Sequence, residues 1–268
     1  AIPFLTTGGQ VVDIISKIAT TQFKKEYLPR IARGEIQGVF SSGHVGREKK
    51  CINSPNADTA DFILISRLKN KLIEVVYLDA SAPGLKINSK KTMDPTRSFC
   101  DVDWSKVSDT NFLLIGTVEL DFFEDIISQS QIALAAECIG GAQKCLDMTL
   151  EYASQRVQFG RSIASFQAIK HRCADMFILI EAAKSAVYAA AVATEVEKTE
   201  AVLIAKAYAT EAYFKVAGDA IQLHGGIGFT WEYPLHLFFK RARANRTMFG
   251  VLSEDYKLLA DSILGDKS

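Results

Sequence analysis

The chain has 268 residues, 31 basic and 31 acidic side chains, and a hydrophobic fraction of 48%. That composition is ordinary for a soluble globular protein, and the balanced charge argues against a nucleic-acid binder, which carries a basic excess. A chain of this length buries a large core, divided among two or three sub-domains.

Along residues 1–36, Val11, Val12, Ile15, Ile18 and Ala19 recur at helical spacing. A second apolar set surrounds Tyr27, Leu28 and Ile31, after Lys24–Lys25. The pattern changes over residues 37–118. There Phe62–Ser66 and Leu72–Tyr77 are short and rich in β-branched residues, which predicts strands, and Pro55, Pro83 and Pro95 punctuate the loops between such pieces. Over residues 119–268 the period is helical: apolar residues recur from Ile126 to Tyr152, from Phe166 to Val196 and from Ala201 to Leu223. A last helix is expected from near Ser253, read as its N-cap. The expected fold is mainly α with a small central β domain and a C-terminal four-helix bundle, interrupted at Gly160 and between Gly225 and Pro234.

No uncharged apolar run approaches the roughly 18 residues of a membrane span. Phe177–Ala193 comes nearest, and Glu181 and Lys184 interrupt it. No signal-peptide pattern is visible, and the first residue is not Met. Cys51, Cys100, Cys138, Cys145 and Cys173 form no CxxC pair. Cys138 and Cys145 fall on one predicted helix about 10 Å apart along its axis, too far for a disulfide. Reduced thiols in a cytoplasmic protein are expected.

Most chemical motifs fail. Gly38–Gly43 has the glycine spacing of a phosphate-binding loop, but His44 stands where the lysine belongs, so a polar loop is expected. His171 and Asp175 share a helix face without a third metal ligand and read as a surface pair. Two segments stand out. In Arg156-Val-Gln-Phe-Gly160, the Arg has the chemistry to neutralise a phosphate, with Gln158 and Gln167 as directional hydrogen-bonding groups. In Gln222-Leu-His-Gly-Gly-Ile-Gly-Phe-Thr-Trp-Glu-Tyr-Pro234, the glycines permit close backbone approach to a pyrophosphate. Taken singly, the first reads as a helix C-terminus with a solvated Arg and the second as a glycine-rich helix connection.

Together, and with the basic run Lys240–Arg246, these segments resemble the acyl-CoA dehydrogenase family in order and spacing. Phe23-Lys-Lys-Glu-Tyr-Leu-Pro29 with Gly34-Glu35 is similar to the family's segment ahead of its β domain, with Phe23 in place of the usual Gln. The resemblance implies FAD-dependent α,β-dehydrogenation of an acyl-CoA thioester, a β-oxidation step of lipid metabolism. A carboxylate base takes the α-proton while the flavin accepts a hydride. It further implies that Arg156, Gln158, Phe159, Gln167, Gln222, Gly225 and Gly226 contact the dinucleotide part of FAD in a neighbouring subunit.

Two departures from the family pattern concern the chain's own active site. A gapless count from the Gly-Gly motif places Phe249 where the family's Y-E-G-T segment has its base, and the alternative base position and its neighbour fall on Ser130 and Gln131. The flavin-facing β segment is altered at Ser41–Glu48 and Lys50–Asn53, with Cys51 near the usual Trp. The expectation is a non-catalytic subunit that lends dinucleotide contacts to FAD in a catalytic acyl-CoA dehydrogenase partner, as an α2β2 hetero-oligomer. The partner then holds most of the acyl-CoA. The rivals are a homo-oligomeric enzyme using an off-motif acid such as Glu254, and a flavin-free assembly subunit.

Overall fold

The computed structural model describes residues 4–42, 49–194 and 197–265. The chain divides into two compact units, residues 1–130 and 131–268.

In the first unit, a π-helical segment Phe4–Val11 runs directly into α1 (Val12–Ile18), followed by α2 (Thr21–Ala32). Thr20 caps α2 by accepting a hydrogen bond from the Phe23 amide, and Gly34, at φ +70°, ends it. Strands β1 (Gly38–Ser42), β3 (Phe62–Lys69), β4 (Leu72–Asp79) and β7 (Leu113–Glu119) form one sheet in the order β1-β3-β4-β7. Strands β2 (Lys50–Pro55), β6 (Phe99–Asp103) and β5 (Lys86–Lys90) form a second, in the order β2-β6-β5. The first sheet is buried on both faces at β3. Phe62 and Leu64 join the core under the N-terminal helices, while Ile63 and Ile65 join a second core with Val102 and Trp104. A strand covered on both sides reads as an unbroken apolar run, which is why Phe62-Ile-Leu-Ile65 was legible. The predicted strands are present, each extended at its C-terminal end by two or three residues.

Gly38–Ser42 is a strand with buried residues rather than a polar loop. A Cβ at Gly38 would meet the Phe62 ring at 2.3 Å, so this glycine serves close packing of paired strands. Gly43 and His44, like the rest of Ser41–Glu48 beyond Ser42, lie outside the described residues.

α3 (Leu120–Gln155) runs across the division between the units. The second unit contains its C-terminal part together with α4 (Gln167–Val192), α5 (Lys198–His224), α6 (Leu235–Asn245) and α7 (Leu252–Leu264). Its core draws on small residues: Ala135, Cys138, Ala142 and Cys145 of α3 and Ala205, Ala209 and Ala212 of α5 belong to one buried cluster with Tyr213. Small residues allow close helix approach, and Gly141 is its limit, since a Cβ there would lie 2.4 Å from the Tyr213 ring. All five cysteines are free, and burial pushes the Cys145 thiol up to about 12. Ser253 is not the N-cap of α7. Val251 holds that position and its carbonyl accepts from the Glu254 amide, so the helix starts one residue before the serine. Among the described residues, no helix is long and apolar enough to cross a membrane.

Candidate functional site

The two motif segments leave from one corner of the helical unit. Tyr152, in the last turn of α3, stacks on His224, the last residue of α5, with ring centroids 4.3 Å apart at 20°. The Tyr152 hydroxyl also donates to the His224 carbonyl at 3.3 Å. Buried His224 places Nδ1 2.7 Å from the Ala220 carbonyl. A carbonyl only accepts, so Nδ1 carries the proton. Burial holds the imidazole below its usual range and favours this neutral form.

Beyond Tyr152, the chain turns sharply. Val157–Gln158 pairs with Arg161–Ser162 as a two-strand ribbon, β8 and β9, around Phe159 and Gly160. Both turn residues have positive φ, +53° and +76°, as a tight primed turn requires. Glycine adopts this conformation freely, but phenylalanine does so rarely. The ribbon is held from behind: the Ile163 amide donates to the Arg156 carbonyl at 2.9 Å, and Ser162 Oγ donates to the Ala153 carbonyl at 2.7 Å. Phe159 is 93% exposed, and its ring meets Phe166 edge-on, while the Arg161 guanidinium lies 4.2 Å from the Phe166 centroid. Gln167 opens α4 immediately afterwards.

Beyond His224, Gly225 adopts φ +65° and leads into a 3-10 turn over Gly225–Phe229. A Cβ built at Gly225 or Gly226 meets nothing within 4 Å, so their backbone faces open space. Gly228 differs, because its Cβ would lie 2.8 Å from the Ile221 carbonyl oxygen; it is needed for the turn itself. Trp231, not singled out from the sequence, is exposed beside this turn, edge-on to His236 and 5.5 Å from Lys240 Nζ.

All seven residues proposed for the dinucleotide, Arg156, Gln158, Phe159, Gln167, Gln222, Gly225 and Gly226, are exposed. Among the described residues no side chain partners the Arg156 guanidinium or the side-chain amides of Gln158, Gln167 and Gln222. A free guanidinium, free amides, a glycine backbone open to approach and an outward aromatic ring match the needs of a dinucleotide: charge neutralisation, hydrogen bonding, phosphate access and stacking.

The positions aligned with a base are different in kind. Ser130 is buried, its hydroxyl without a hydrogen-bond partner among the described residues. Gln131 Nε2 donates to the Phe249 carbonyl at 3.0 Å. Phe249 sits in a left-handed turn at φ +54°. His171 and Asp175 are exposed on α4.

Residues 121–263 match the family profile described as acyl-CoA dehydrogenase, C-terminal domain. The chain is 37% identical over 170 residues to an acyl-CoA dehydrogenase IpdE2 of Mycolicibacterium smegmatis, covering 63% of this chain and 50% of that protein. It is 25% identical over 280 residues to the short/branched chain specific acyl-CoA dehydrogenase, mitochondrial, of Bos taurus, covering 93% of this chain and 65% of that protein. The chain thus spans about half to two thirds of these relatives' length. The solved butyryl-CoA dehydrogenase of Megasphaera elsdenii shares the fold with a TM-score of 0.83 at 24% identity, over 97% of this chain and 76% of that one. The chain belongs to the acyl-CoA dehydrogenase family.

Proposed function

We propose that this chain is a non-catalytic subunit of a hetero-oligomeric acyl-CoA dehydrogenase and lends dinucleotide contacts to FAD seated mainly in a catalytic partner. The observation that carries the reading is the exposed corner, where the side chains of Arg156, Gln158, Gln167 and Gln222 have no partner among the described residues. Arg156 would neutralise a phosphate, and the Gly225–Gly226 backbone would allow the pyrophosphate to approach. Gln158, Gln167 and Gln222 would fix its orientation by hydrogen bonds, and Phe159 would offer a stacking face. FAD, when bound, supplies the hydride acceptor for α,β-dehydrogenation of an acyl-CoA thioester.

The proton-abstracting carboxylate and the acyl pocket belong, in this reading, to the partner. Phe249 and Ser130 support that division, because neither side chain takes a proton from carbon. The favoured assembly is an α2β2 hetero-oligomer. Its compartment is the cytoplasm, in keeping with five free thiols.

Replacing Arg156 by Ala in the natively purified complex tests this reading. A charge-assisted contact of this kind is worth about 1.5–3 kcal/mol, so FAD retention is expected to weaken roughly 10- to 100-fold. Lysine should restore only part of it, since it keeps the charge and loses the planar fork. Unchanged flavin occupancy in Arg156→Ala would contradict the assignment.

A further inference from the structure

Away from the flavin corner, the most demanding buried group is Lys206. It lies within α5 between Ala205 and Ala207 and is 1% exposed. An ammonium so deeply buried must be paired and hydrogen-bonded. Lys206 Nζ donates to the Phe249 carbonyl at 2.8 Å, to the Gly250 carbonyl at 3.0 Å and to Asp255 Oδ1 at 2.9 Å. Asp255 Oδ2 lies 2.8 Å away. All three of its N–H donors are therefore used. Asp255, 3% exposed, stands in the first turn of α7, where the helix end also favours a negative charge.

The gripped turn is not a relaxed one. Phe249 and Gly250 have consecutive positive φ values, +54° and +109°. A phenylalanine there persists only where its surroundings over-determine the backbone. Three donors from elsewhere in the helical unit do so: Lys206 holds both carbonyls, and Gln131 bonds the first of them. A Cβ at Gly250 would stand 3.0 Å from Nζ, so the cation fits closely only against glycine.

We infer that Lys206 is the positioning residue of the 248–251 turn, holding its carbonyls inward and anchoring the start of α7 through Asp255. Two consequences follow for the acids after the turn. Asp255 is committed to the pair, and Glu254 is left facing solvent, so neither is presented as a relocated base. This concerns the chain's own fold and stands whether or not FAD is lent to a partner.

Peptide-resolved hydrogen exchange on the full chain tests it. Lys206→Met keeps length and removes the donors, so amides over 250–258 should exchange on the order of 100-fold faster. In the double variant Lys206→Met, Asp255→Met, core amides of α4 and α5 should recover toward wild-type protection. The turn should stay fast there, because the Gly250 carbonyl still lacks its lysine donor and the Phe249 carbonyl keeps only Gln131. Recovery of the turn together with the core would overturn the inference, leaving the pair as mere filling. So would unchanged exchange of 250–258 in Lys206→Met. Should that variant fail to fold, Asp255→Asn keeps shape and the two carbonyl bonds. It should loosen the first turn of α7 roughly 10-fold, and identical exchange to wild type would equally refute the claim.

Discussion

The Tyr152 ring lies flat against His224 at 4.3 Å, joining the C-terminal ends of α3 and α5. Tyr233 meets both rings, at 6.1 Å and 4.9 Å, and closes the cluster from the far side of the glycine turn. Truncating Tyr152 to Ala should therefore do two things. Loss of a half-buried aromatic contact should cost about 2–3 kcal/mol in chemical denaturation. Flavin retention in the complex should fall with it. Tyr152→Phe keeps the stack and loses only the 3.3 Å hydrogen bond, so it should cost about 1 kcal/mol or less. Equal effects of the two substitutions would show that the stack does not organise the corner.

Adjacent glycines of α3 should respond in opposite directions. Gly140 is exposed and its Cβ would meet nothing, so Gly140→Ala should stabilise the chain by about 0.5–1 kcal/mol through helix propensity. At Gly141 the Cβ would press on Tyr213, and Gly141→Ala should cost about 1–3 kcal/mol. Urea midpoints of the two variants measure the contrast.

His224 sets a pH dependence. Burial keeps its folded-state pKa below the usual 6.5, so below about pH 6.5 the unfolded chain takes a proton that the folded chain refuses. Its contribution is full above that value and is lost as pH falls toward the folded pKa, by at most about 1.4 kcal/mol per pH unit. His224→Gln should flatten this dependence. Denaturation of both proteins at pH 7.0 and pH 5.5 measures the difference, and parallel losses would argue against it.

The fold was legible where the signal is local. Phe62–Ile65 announces a doubly covered strand, and the apolar repeats from Ile126 to Leu223 announce long helices. The two segments of the candidate corner were legible as sequence too, because each is a contiguous run. Their convergence through Tyr152 and His224 was not, since that contact joins residues from different helices. α6 escaped notice because Lys240, Arg241 and Arg243 obscure its apolar period and only a few of its residues, such as Leu235 and Ala242, are buried. Ser253 was a plausible cap by residue type, yet backbone geometry gives that place to Val251. Lys206 looks like any solvated lysine, and its partner lies 49 residues further along the chain. Nothing local marks such a pair.

Phe159 offers a test independent of charge. An exposed ring on a strained turn contributes little to the chain's own stability, so Phe159→Gly should change it by no more than about 0.5 kcal/mol in either direction. If the ring stacks on the dinucleotide, the same variant should release FAD from the complex about 5- to 30-fold faster, given roughly 1–2 kcal/mol for one stacking contact. Stopped-flow flavin dissociation reads this directly.

The lending role is tested most directly by the flavin content and mass of the natively purified protein, counted per chain. The account predicts one FAD for every two chains, with a second, catalytic polypeptide co-purifying in equal amount. One FAD per chain in a homo-oligomer that turns over acyl-CoA by itself would contradict it.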